Sequence, residues 1–516
     1  MTRKDIGLMT LSGLILIFSF PPFWGGPIAM TGLIPLFYLI EGKKLKKAFL
    51  GGYVIGFIWT SGTLYWIGWP TITGMIGSVL YVPVFTGLFT AILCWIYETW
   101  GRQALWFAPF LWTAIELIQS FGVLGFPWNQ LANTQTHMTG FIQFASIFGS
   151  YGVSFWIVLL NVLIFYLIQY FGRNRKTWMF ALFLLLILAV PWFHSQFVLQ
   201  EKKMETTGLN VSLIQGNIDP YKKWTPSFVD SNFVVYQHLS ETTAATRPGL
   251  IVWPETATPC YLRYRFQYLS KVLALVDSLN APILTGAPDY QWNQQGKADV
   301  YNAALLLEPE NRRIQRYYKI NLVPFSERVP LVDRLPSFYD WLSSLHLDVG
   351  RYTPGDSTYI FKVYRKHQAD YQFATAICFD SVFPFQVRDM VKKGAEFLVI
   401  ITNDGWFGHT SGPYQHAQIA VIRAIETGRW IARCANTGIS GFIDPQGRYR
   451  KKSRFHEETV LHETVSLIQQ QTFFVRYGDV LKYIVIICNL FILMWTLKKR
   501  AYNRNGQSER HQAIPL

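Results

Sequence analysis

Three polar residues in the carboxyl-terminal half of the sequence follow apolar runs, at positions that a protein core would not choose. They are Glu255, Lys319 and Cys378, and they follow the runs 249–253, 314–318 and 371–377. A cysteine thiolate is a nucleophile, a carboxylate can take the proton of the thiol, and an ammonium can stabilise a tetrahedral oxyanion. The three types together predict acyl transfer through a Cys378 thioester, with Glu255 as base and Lys319 as oxyanion stabiliser. Taken singly, Cys378 would also fit a small buried hydrophobic residue, and Glu255 and Lys319 would each fit a solvated charge in a loop.

Residues 208–479 must position these groups, because short β runs alternate there with helical stretches. The predicted strands are 210–215, 250–253, 283–285, 303–307, 314–318, 373–377 and 397–402. This alternation predicts an α/β domain with a buried sheet and ligands at the strand ends. His409 and His416 both follow a turn at Asn403 and Asp404, and a helix is predicted after this turn at 414–430. No Cys/His cluster has metal spacing, so both histidines are interpreted as structural and neither a metal nor another cofactor is expected.

The composition of the whole chain is too apolar for a soluble enzyme. Half of its 516 residues are hydrophobic, and the mean hydropathy is +0.17. The apolar runs are 6–20, 27–40, 48–69, 76–98, 104–120, 146–171, 178–193 and 480–497. Because ~20 apolar residues cross a bilayer, they predict a polytopic helical membrane domain with about eight crossings. Seven lie in 1–200 and the eighth is 480–497, followed by the tail 498–516. The first run lacks a small-residue cleavage site and is expected to remain an anchor.

The charge pattern predicts the orientation in the membrane. The loops 21–26, 70–75 and 121–145 contain no Lys or Arg, whereas the alternate loops are basic. By the positive-inside rule both termini are cytoplasmic and the domain 208–479 is periplasmic, at the inner membrane of a bacterium. The formal charge is +15, but no nucleic-acid-binding motif accompanies it, so nucleic acid is not an expected partner. The five cysteines lack a Cys-x-x-Cys pair, which indicates free thiols.

Two further segments leave alternatives open. Glu116 lies inside the fifth apolar run, where a carboxylate either has a function or ties helices together by a buried hydrogen bond. The polar outer loop 121–145 is a candidate lipid headgroup site. The segment 322–350 is rich in apolar residues, so it either packs on the domain or forms a lid that meets the membrane or an acyl chain. Glu327 at its base would orient Lys319 or act as a second carboxylate.

The sequence around these residues resembles the nitrilase, or carbon–nitrogen hydrolase, superfamily, whose triad is Glu, Lys and Cys in this order. Within it, the apolipoprotein N-acyltransferase family has the most similar motifs. They are QGNI at 215–218 with Trp224, WPET at 253–256, LVPFSE at 322–327 and NDGWFG at 403–408. Further matches outside the α/β domain are FSFP at 18–21, GFPW at 125–128 and FVRYGD at 474–479. The resemblance therefore covers nearly the whole chain.

The resemblance implies a four-layer αββα sandwich and a two-step acyl transfer at the membrane. The implied donor is a phospholipid such as phosphatidylethanolamine, and the acceptor is the α-amino group of the diacylglyceryl-cysteine that begins an apolipoprotein. A monomer is expected, in contact with membrane lipids. The auxiliary or substrate-binding residues are Glu327, Trp224, Phe379, Asp380, Asn403 and Trp406. The family commonly has Cys-Tyr-Glu at the nucleophile, whereas this chain has Cys-Phe-Asp, which leaves the roles of Phe379 and Asp380 open.

Two rival hypotheses remain at this stage. A membrane-anchored nitrilase-type amidase would use the same chemistry with water as acceptor, but it would not require eight crossings. A lipid transporter or flippase would need several ionisable residues within its crossings. Glu116 is nearly the only central candidate for such a residue.

Overall fold

The computed structural model of this chain describes residues 1–172, 174–200, 208–330, 350, 352–365 and 369–512, and for residues 174 and 504–512 it describes the backbone alone. The predicted lid 322–350 is therefore described at its two ends, while its residues 331–349 lie outside the described residues. Most of the apolar residues that suggested a lid belong to that interval.

The amino-terminal part is helical because its runs are apolar on most faces and offer the backbone no partners other than its own. Its helices are α1 (Arg3–Ser19), α2 (Ile34–Leu39), α3 (Leu45–Leu64), α4 (Ile72–Trp100), α5 (Ala108–Gln119), α6 (Ala145–Gln169) and α7 (Asn174–Gln200). A 3-10 helix, Gly101–Phe107, joins α4 to α5. The last helix of the chain, α13 (Val480–Gln512), packs against α5 and α4 and so returns to this bundle.

Four spans of the described residues are long and apolar enough to cross a membrane. They are Ile72–Gln119, which comprises α4 and α5, and then Ala145–Gln169, Arg175–Gln200 and Val480–Asn503. The third span is almost entirely exposed on the protein surface, as expected of a helix that faces lipid. The chain is therefore a helical membrane protein, and the count of eight crossings stays a prediction.

The α/β domain contains two six-stranded sheets. Its strands are β1 (Gly208–Gln215), β2 (Leu250–Val252), β3 (Ile283–Trp292), β4 (Ala298–Glu308), β5 (Asn311–Tyr318), β6 (Ile360–Val363), β7 (Tyr371–Ile377), β8 (Phe397–Thr402), β9 (Ile431–Ala435), β10 (Gly441–Ile443), β11 (Tyr449–Lys452) and β12 (Thr459–Ser466). The first sheet has the order β12-β1-β2-β3-β4-β5, and the second has β11-β10-β9-β8-β7-β6. In the central part of each sheet, β1-β2-β3 and β7-β8-β9 are parallel.

The two sheets pack face to face, with helices on their outer faces. Along β2, Leu250 and Val252 join the core between the sheets, whereas Ile251 lies under α8 (Pro226–Glu241) and α9 (Phe266–Leu279). Alternate residues of a strand face opposite sides, and both sides of β2 are covered, so its whole sequence is apolar. The Cys434 thiol of the second sheet donates to the Val252 carbonyl at 3.2 Å and helps to join the sheets.

The outer face of the second sheet is covered by α10 (Pro384–Lys392) and α11 (Gly412–Thr427), and the short α12 (Phe473–Tyr477) follows the last strand. The domain is therefore the four-layer αββα sandwich that the resemblance implied. Helix α11 also packs against α6, so it lies between the sandwich and the membrane helices. This helix is nearly fully buried, and it carries Gln415 and His416.

Gln415 joins the two parts of the molecule by polar contacts. Its Oε1 accepts from the indole nitrogens of Trp66 at 3.2 Å and Trp128 at 2.9 Å, and its Nε2 donates to the Thr63 carbonyl at 3.1 Å. All four residues are buried. Because buried polar groups that lose their partners are costly, this cluster fixes how the sandwich sits on the membrane helices.

Candidate active site

Cys378 is the first residue after β7 and begins the 3-10 turn Cys378–Val382. Its φ is +49°, a conformation that non-glycine residues rarely adopt, and its side chain is only 8% exposed. Such strain persists where the surroundings hold it, and it is typical of functional residues. Burial, together with the negative charge of Glu255, raises the pKa of the thiol well above its ordinary value, while Lys319 acts in the opposite direction. The thiol is therefore protonated at neutral pH and needs a base.

Glu255 follows β2 and is held at both carboxylate oxygens. Its Oε1 accepts from the Asn302 amide at 2.8 Å, and its Oε2 accepts from the backbone N–H of Asn403 at 2.9 Å. Gly286 of β3 lies directly behind it, where an added Cβ would come within 2.6 Å of the Glu255 Cα. The absence of a side chain at this position therefore allows the backbone of Glu255 to approach β3 closely.

Lys319 follows β5 and is 1% exposed between two carboxylates. Its Nζ lies 2.8 Å from Glu327 Oε2 and 3.5 Å from Glu255 Oε1. Burial alone would lower its pKa, but the charges of Glu327 and Glu255 outweigh that effect and hold the pKa above its ordinary value. The lysine is thus a fixed cation rather than a proton acceptor.

Glu327 lies beside Lys319 as a second carboxylate. This is one of the two alternatives that the sequence leaves open, the other being that Glu327 orients Lys319. It also contacts Lys319 directly, so its position is compatible with both alternatives. The Asn302 amide donates to both Glu327, at 3.0 Å, and Glu255, and the Val323 N–H donates to Glu327 Oε2 at 2.8 Å. Asn302 is an additional site residue, and its signal in the sequence was a polar residue inside the apolar β4.

Phe379 and Asp380, the two residues that depart from the family pattern, face different surroundings. Phe379 packs in an aromatic cluster, with ring centroids 5.8 Å from Phe126 and 5.1 Å from Phe383. Asp380 is fully buried and accepts from the Tyr317 hydroxyl at 2.7 Å and the Asn321 N–H at 2.8 Å. Tyr317 and Asn321 flank Lys319 by two residues on either side, so Asp380 fixes the backbone that carries this lysine.

Asn403, Trp406 and Trp224 lie together on the other side of Glu255. With the Asn403 amide reversed, its Oδ1 accepts from Trp406 Nε1 at 3.2 Å and from Lys223 Nζ at 2.9 Å, whereas in the other orientation its Oδ1 accepts from Asn436 Nδ2 at 3.0 Å. The Lys223 ammonium lies 5.6 Å from the ring centroid of the neighbouring Trp224. Sequence reasoning missed Lys223, because a lysine in a polar segment predicts a solvated side chain.

A buried ionic cluster of Asp404, His416 and Arg433 contacts the turn that carries Cys378. His416 Nδ1 lies 2.8 Å from Asp404 Oδ1, and Arg433 Nη2 lies 2.7 Å from Asp404 Oδ2. Burial alone would raise the pKa of Asp404, but Arg433 and His416 hold it below its ordinary value. The imidazole Nε2 reaches Ser381 Oγ at 3.0 Å and the Cys378 carbonyl at 3.2 Å. His416 thus lies against the turn that carries Cys378, whereas His409 stacks on His456.

An apolar pocket of about 200 Å³ opens against Cys378. Its walls come from three parts of the chain: the membrane helices and their connections, the outer loop 121–145 and the sandwich. They include Trp66, Tyr81, Phe126, Trp128, Phe325 and Phe407. The outer loop, a candidate headgroup site, contributes apolar side chains here. Such a pocket suits a hydrocarbon chain rather than a charged ligand.

Glu116 belongs to the packing of the membrane helices rather than to this site. Its Oε1 accepts from the Trp112 indole at 2.8 Å and from the backbone N–H of Leu131 at 2.9 Å. The first bond lies within α5, and the second ties α5 to the outer loop. The geometry therefore favours the buried hydrogen bond over a function of its own.

Comparisons with known proteins agree with this architecture. The carbon-nitrogen hydrolase family model matches residues 210–472, and the model of the apolipoprotein N-acyltransferase N-terminal domain matches residues 12–163. A crystal structure of Nit3 from Saccharomyces cerevisiae, a member of branch 10 of the nitrilase superfamily, aligns at 16% identity with a TM-score of 0.38, covering 52% of this chain and 92% of that one.

Two similar relatives are apolipoprotein N-acyltransferases. The protein from Geobacter metallireducens is 34% identical over 495 residues, which covers 93% of this chain and 92% of the relative. The protein from Chlorobaculum tepidum is 30% identical over 528 residues, which covers 96% of this chain and 97% of the relative. With such identity over nearly its full length, the chain belongs to the apolipoprotein N-acyltransferase family.

Proposed function

We propose that this protein transfers a fatty acyl group from a phospholipid such as phosphatidylethanolamine to the N-terminal diacylglyceryl-cysteine amine of apolipoproteins. The observation that carries the proposal is the apolar pocket that ends at the Cys378 thiol. A membrane-anchored amidase for small polar amides has no need of an apolar cavity built partly from membrane helices. A hydrocarbon chain bound in this pocket would lie beside Cys378, which is the arrangement that acyl transfer from a lipid requires.

The first step forms a thioester. Glu255 takes the proton of the Cys378 thiol as the sulfur attacks the ester carbonyl of the phospholipid, and the Lys319 ammonium stabilises the tetrahedral oxyanion. Collapse of the intermediate breaks the ester C–O bond. The departing lysophospholipid oxygen receives the proton that Glu255 holds, and the acyl group remains on the sulfur.

The second step forms the amide. The neutral acceptor amine attacks the thioester carbonyl, Glu255 takes a proton from the amine, and the C–S bond breaks. The thiolate then recovers the proton from Glu255, so the enzyme returns to its starting state. Because the lysophospholipid leaves before the amine reacts, this order predicts ping-pong kinetics. Both substrates reside in the bilayer, which accounts for the membrane domain.

We further propose a bacterial inner-membrane protein with eight crossings and a periplasmic sandwich. The span Ile72–Gln119 supplies two of the crossings, α6, α7 and α13 supply three, and α1, the shorter apolar segment Gly26–Leu39 and α3 supply the others. The absence of Lys and Arg from the alternate loops supports cytoplasmic termini. A single chain provides every group named for the reaction, which supports a monomer.

The test is intact mass spectrometry of the purified protein after incubation with phosphatidylethanolamine and no acceptor. We expect the wild type to gain one fatty acyl group that hydroxylamine removes, and Cys378→Ala to gain none. Addition of a diacylglyceryl-cysteine peptide should then discharge the wild-type adduct into a triacylated peptide. A wild type that binds phospholipid without any covalent adduct would refute the mechanism, whereas release of free fatty acid despite added peptide would favour the amidase.

A further inference from the structure

Lys223 is a buried lysine beside the catalytic centre that the two-step mechanism does not use. It is only 2% exposed, although its neighbours Lys222 and Trp224 are both exposed. Lysine is among the residue types that are almost never fully buried without a partner. Its burial between exposed neighbours therefore requires an explanation in terms of the groups that it contacts.

The ammonium of Lys223 meets three acceptors on two segments. It donates to the Thr256 carbonyl at 3.1 Å and contacts the Thr256 hydroxyl, and with the Asn403 amide reversed it reaches Asn403 Oδ1 at 2.9 Å. An ammonium has three donors, so this set of acceptors matches it completely. The lysine thus forms a cross-link between the turn after β2 and the turn after β8.

Both of these segments hold the Glu255 carboxylate. Thr256 is its covalent neighbour and has a φ of +49°, which a β-branched residue adopts only when other contacts impose it. Asn403 donates its backbone N–H to Glu255 Oε2 at 2.9 Å. Loss of the Lys223 contacts would therefore release the turn on one side of Glu255 and loosen its hydrogen-bond donor on the other.

The local charges support the same assignment. Glu255 and Glu327 bring two carboxylates to the single ammonium of Lys319. Lys223 supplies a second amine near Glu255. Burial lowers its pKa to about 7, and the negative charge of Glu255 opposes that shift. The amine keeps at least two N–H donors whether or not it is charged, so it can donate to Thr256 in both protonation states.

We propose that Lys223 is a positioning residue for the catalytic base, which cross-links Thr256 to Asn403 and so keeps the Glu255 carboxylate in reach of the Cys378 thiol. The proposal rests on the proposed acylation of Cys378. It does not depend on which ester donates the acyl group, and this difference allows the two proposals to be tested separately.

The test measures acylation with a short ester, p-nitrophenyl butyrate, whose p-nitrophenolate burst reports attack by Cys378. We compare the full-length wild type with Lys223→Met, which keeps the length of the side chain but removes its donors. Lys222→Met is the matched control, because Lys222 is exposed and lies next to Lys223. Cys378→Ala gives the background. Thermal unfolding of each detergent-solubilised variant reports whether it is folded.

We expect Lys223→Met to lower the burst rate constant about tenfold to a hundredfold at saturating ester, as a displaced catalytic group does, with the half-saturating ester concentration unchanged. Lys222→Met should match the wild type. A displaced base lowers the burst rate constant alone, whereas a damaged ester-binding site would also raise the half-saturating ester concentration. A folded Lys223→Met variant whose burst rate lies within twofold of the wild type would overturn the proposal.

A second pair of variants decides the matter if Lys223→Met does not fold. Thr256→Ser retains the hydroxyl that contacts Lys223, whereas Thr256→Val removes it at nearly constant shape. The proposal requires Thr256→Val to be slowed and Thr256→Ser to remain close to the wild type, and equal rates for the two would overturn it. A wild type that gives the burst but takes no acyl group from phosphatidylethanolamine would refute the proposed donor and leave the role of Lys223 intact.

Discussion

The imidazole Nε2 of His416 lies 3.2 Å from the carbonyl oxygen of Cys378. This carbonyl belongs to the nucleophile itself, whose backbone is held at a φ of +49°. The other imidazole nitrogen lies against Asp404, which is ionised and paired with Arg433. A chain of contacts thus runs from a buried ion pair to the strained turn that presents the thiol. The conformation of the nucleophile depends on this support.

His416→Leu should therefore impair catalysis as well as stability. It removes the contact to the Cys378 carbonyl and leaves the polar groups of Ser381 and Asp404 with fewer partners. Each buried polar group that loses its partner costs about 1–3 kcal/mol, so we expect a lower Tm. We expect the rate of thioester formation to fall about tenfold to a hundredfold in protein that remains folded. Intact mass measured against time would follow this rate.

His409→Leu is the control for that experiment. His409 is exposed and stacks on His456, with ring centroids 4.2 Å apart, and it does not contact the nucleophile turn. Its substitution should change the rate less than twofold. If His416→Leu forms the thioester as fast as His409→Leu, the left-handed conformation of Cys378 does not depend on the imidazole of His416.

Glu255→Gln and Lys319→Met should change the alkylation of Cys378 in opposite directions, although both should abolish acyl transfer. The Glu255 charge raises the pKa of the thiol, so its removal increases the thiolate fraction at pH 8. The Lys319 charge lowers that pKa, so its removal decreases the thiolate fraction. Because one pKa unit is a factor of ten in thiolate, we expect rate changes of about threefold to tenfold.

Peptide mass spectrometry after timed exposure to iodoacetamide measures this rate site by site. Cys260, which is partly exposed, provides an internal standard in the same sample and should react equally in all three proteins. Slower alkylation of Cys378 in Glu255→Gln would contradict the electrostatic account and indicate that the carboxylate promotes thiolate formation in the resting enzyme.

The strands before Glu255 and Cys378 were predictable because each is a short apolar run, whereas β5 before Lys319 reads NRRIQRYY and was recognised from its β-branched and aromatic residues alone. All seven predicted strands occur in the structure, and they include the strand before each of Glu255, Lys319 and Cys378. Five strands were missed. Of these, β11 reads YRKK and β10 has only three residues, so neither shows the periodicity of a buried strand. The pairing of β12 with β1 joins segments about 250 residues apart, which no local pattern reveals.

The supporting residues of the site were less predictable than the triad. Lys223, Asp404 and Arg433 are charged residues in the core, whereas charged residues in a sequence predict an exposed surface. Their burial follows from partners that are distant along the chain, as in the contact of Lys223 with Asn403. Only the assembled sandwich brings these partners together, so sequence reasoning named Glu327, Asp380 and Asn403 as auxiliary residues but missed Lys223, Arg433 and Asn302.

Asp380→Asn should destabilise the turn that carries Lys319. The Asp380 carboxylate accepts from the Tyr317 hydroxyl and the Asn321 N–H, and an amide can accept with only one of its two ends. We expect a loss of about 1–3 kcal/mol in the free energy of unfolding and a severalfold slower thioester formation. Phe379→Tyr, at the other position that departs from the family, is the comparison. If Asp380→Asn retained wild-type stability and rate, the buried carboxylate would not be what fixes this backbone.

Gln415→Leu should weaken the attachment of the sandwich to the membrane helices. The substitution is close to the original in size, but it leaves the indole N–H groups of Trp66 and Trp128 without their acceptor. Two orphaned buried donors cost about 2–6 kcal/mol together, so we expect a Tm lower by several degrees in detergent.

Because both tryptophans line the pocket beside Cys378, acyl loading of the Gln415→Leu variant from phosphatidylethanolamine should slow. The burst from p-nitrophenyl butyrate, which does not need a long chain seated in the pocket, should change much less. Equal slowing with both esters would place the defect at the catalytic groups rather than at the lipid pocket.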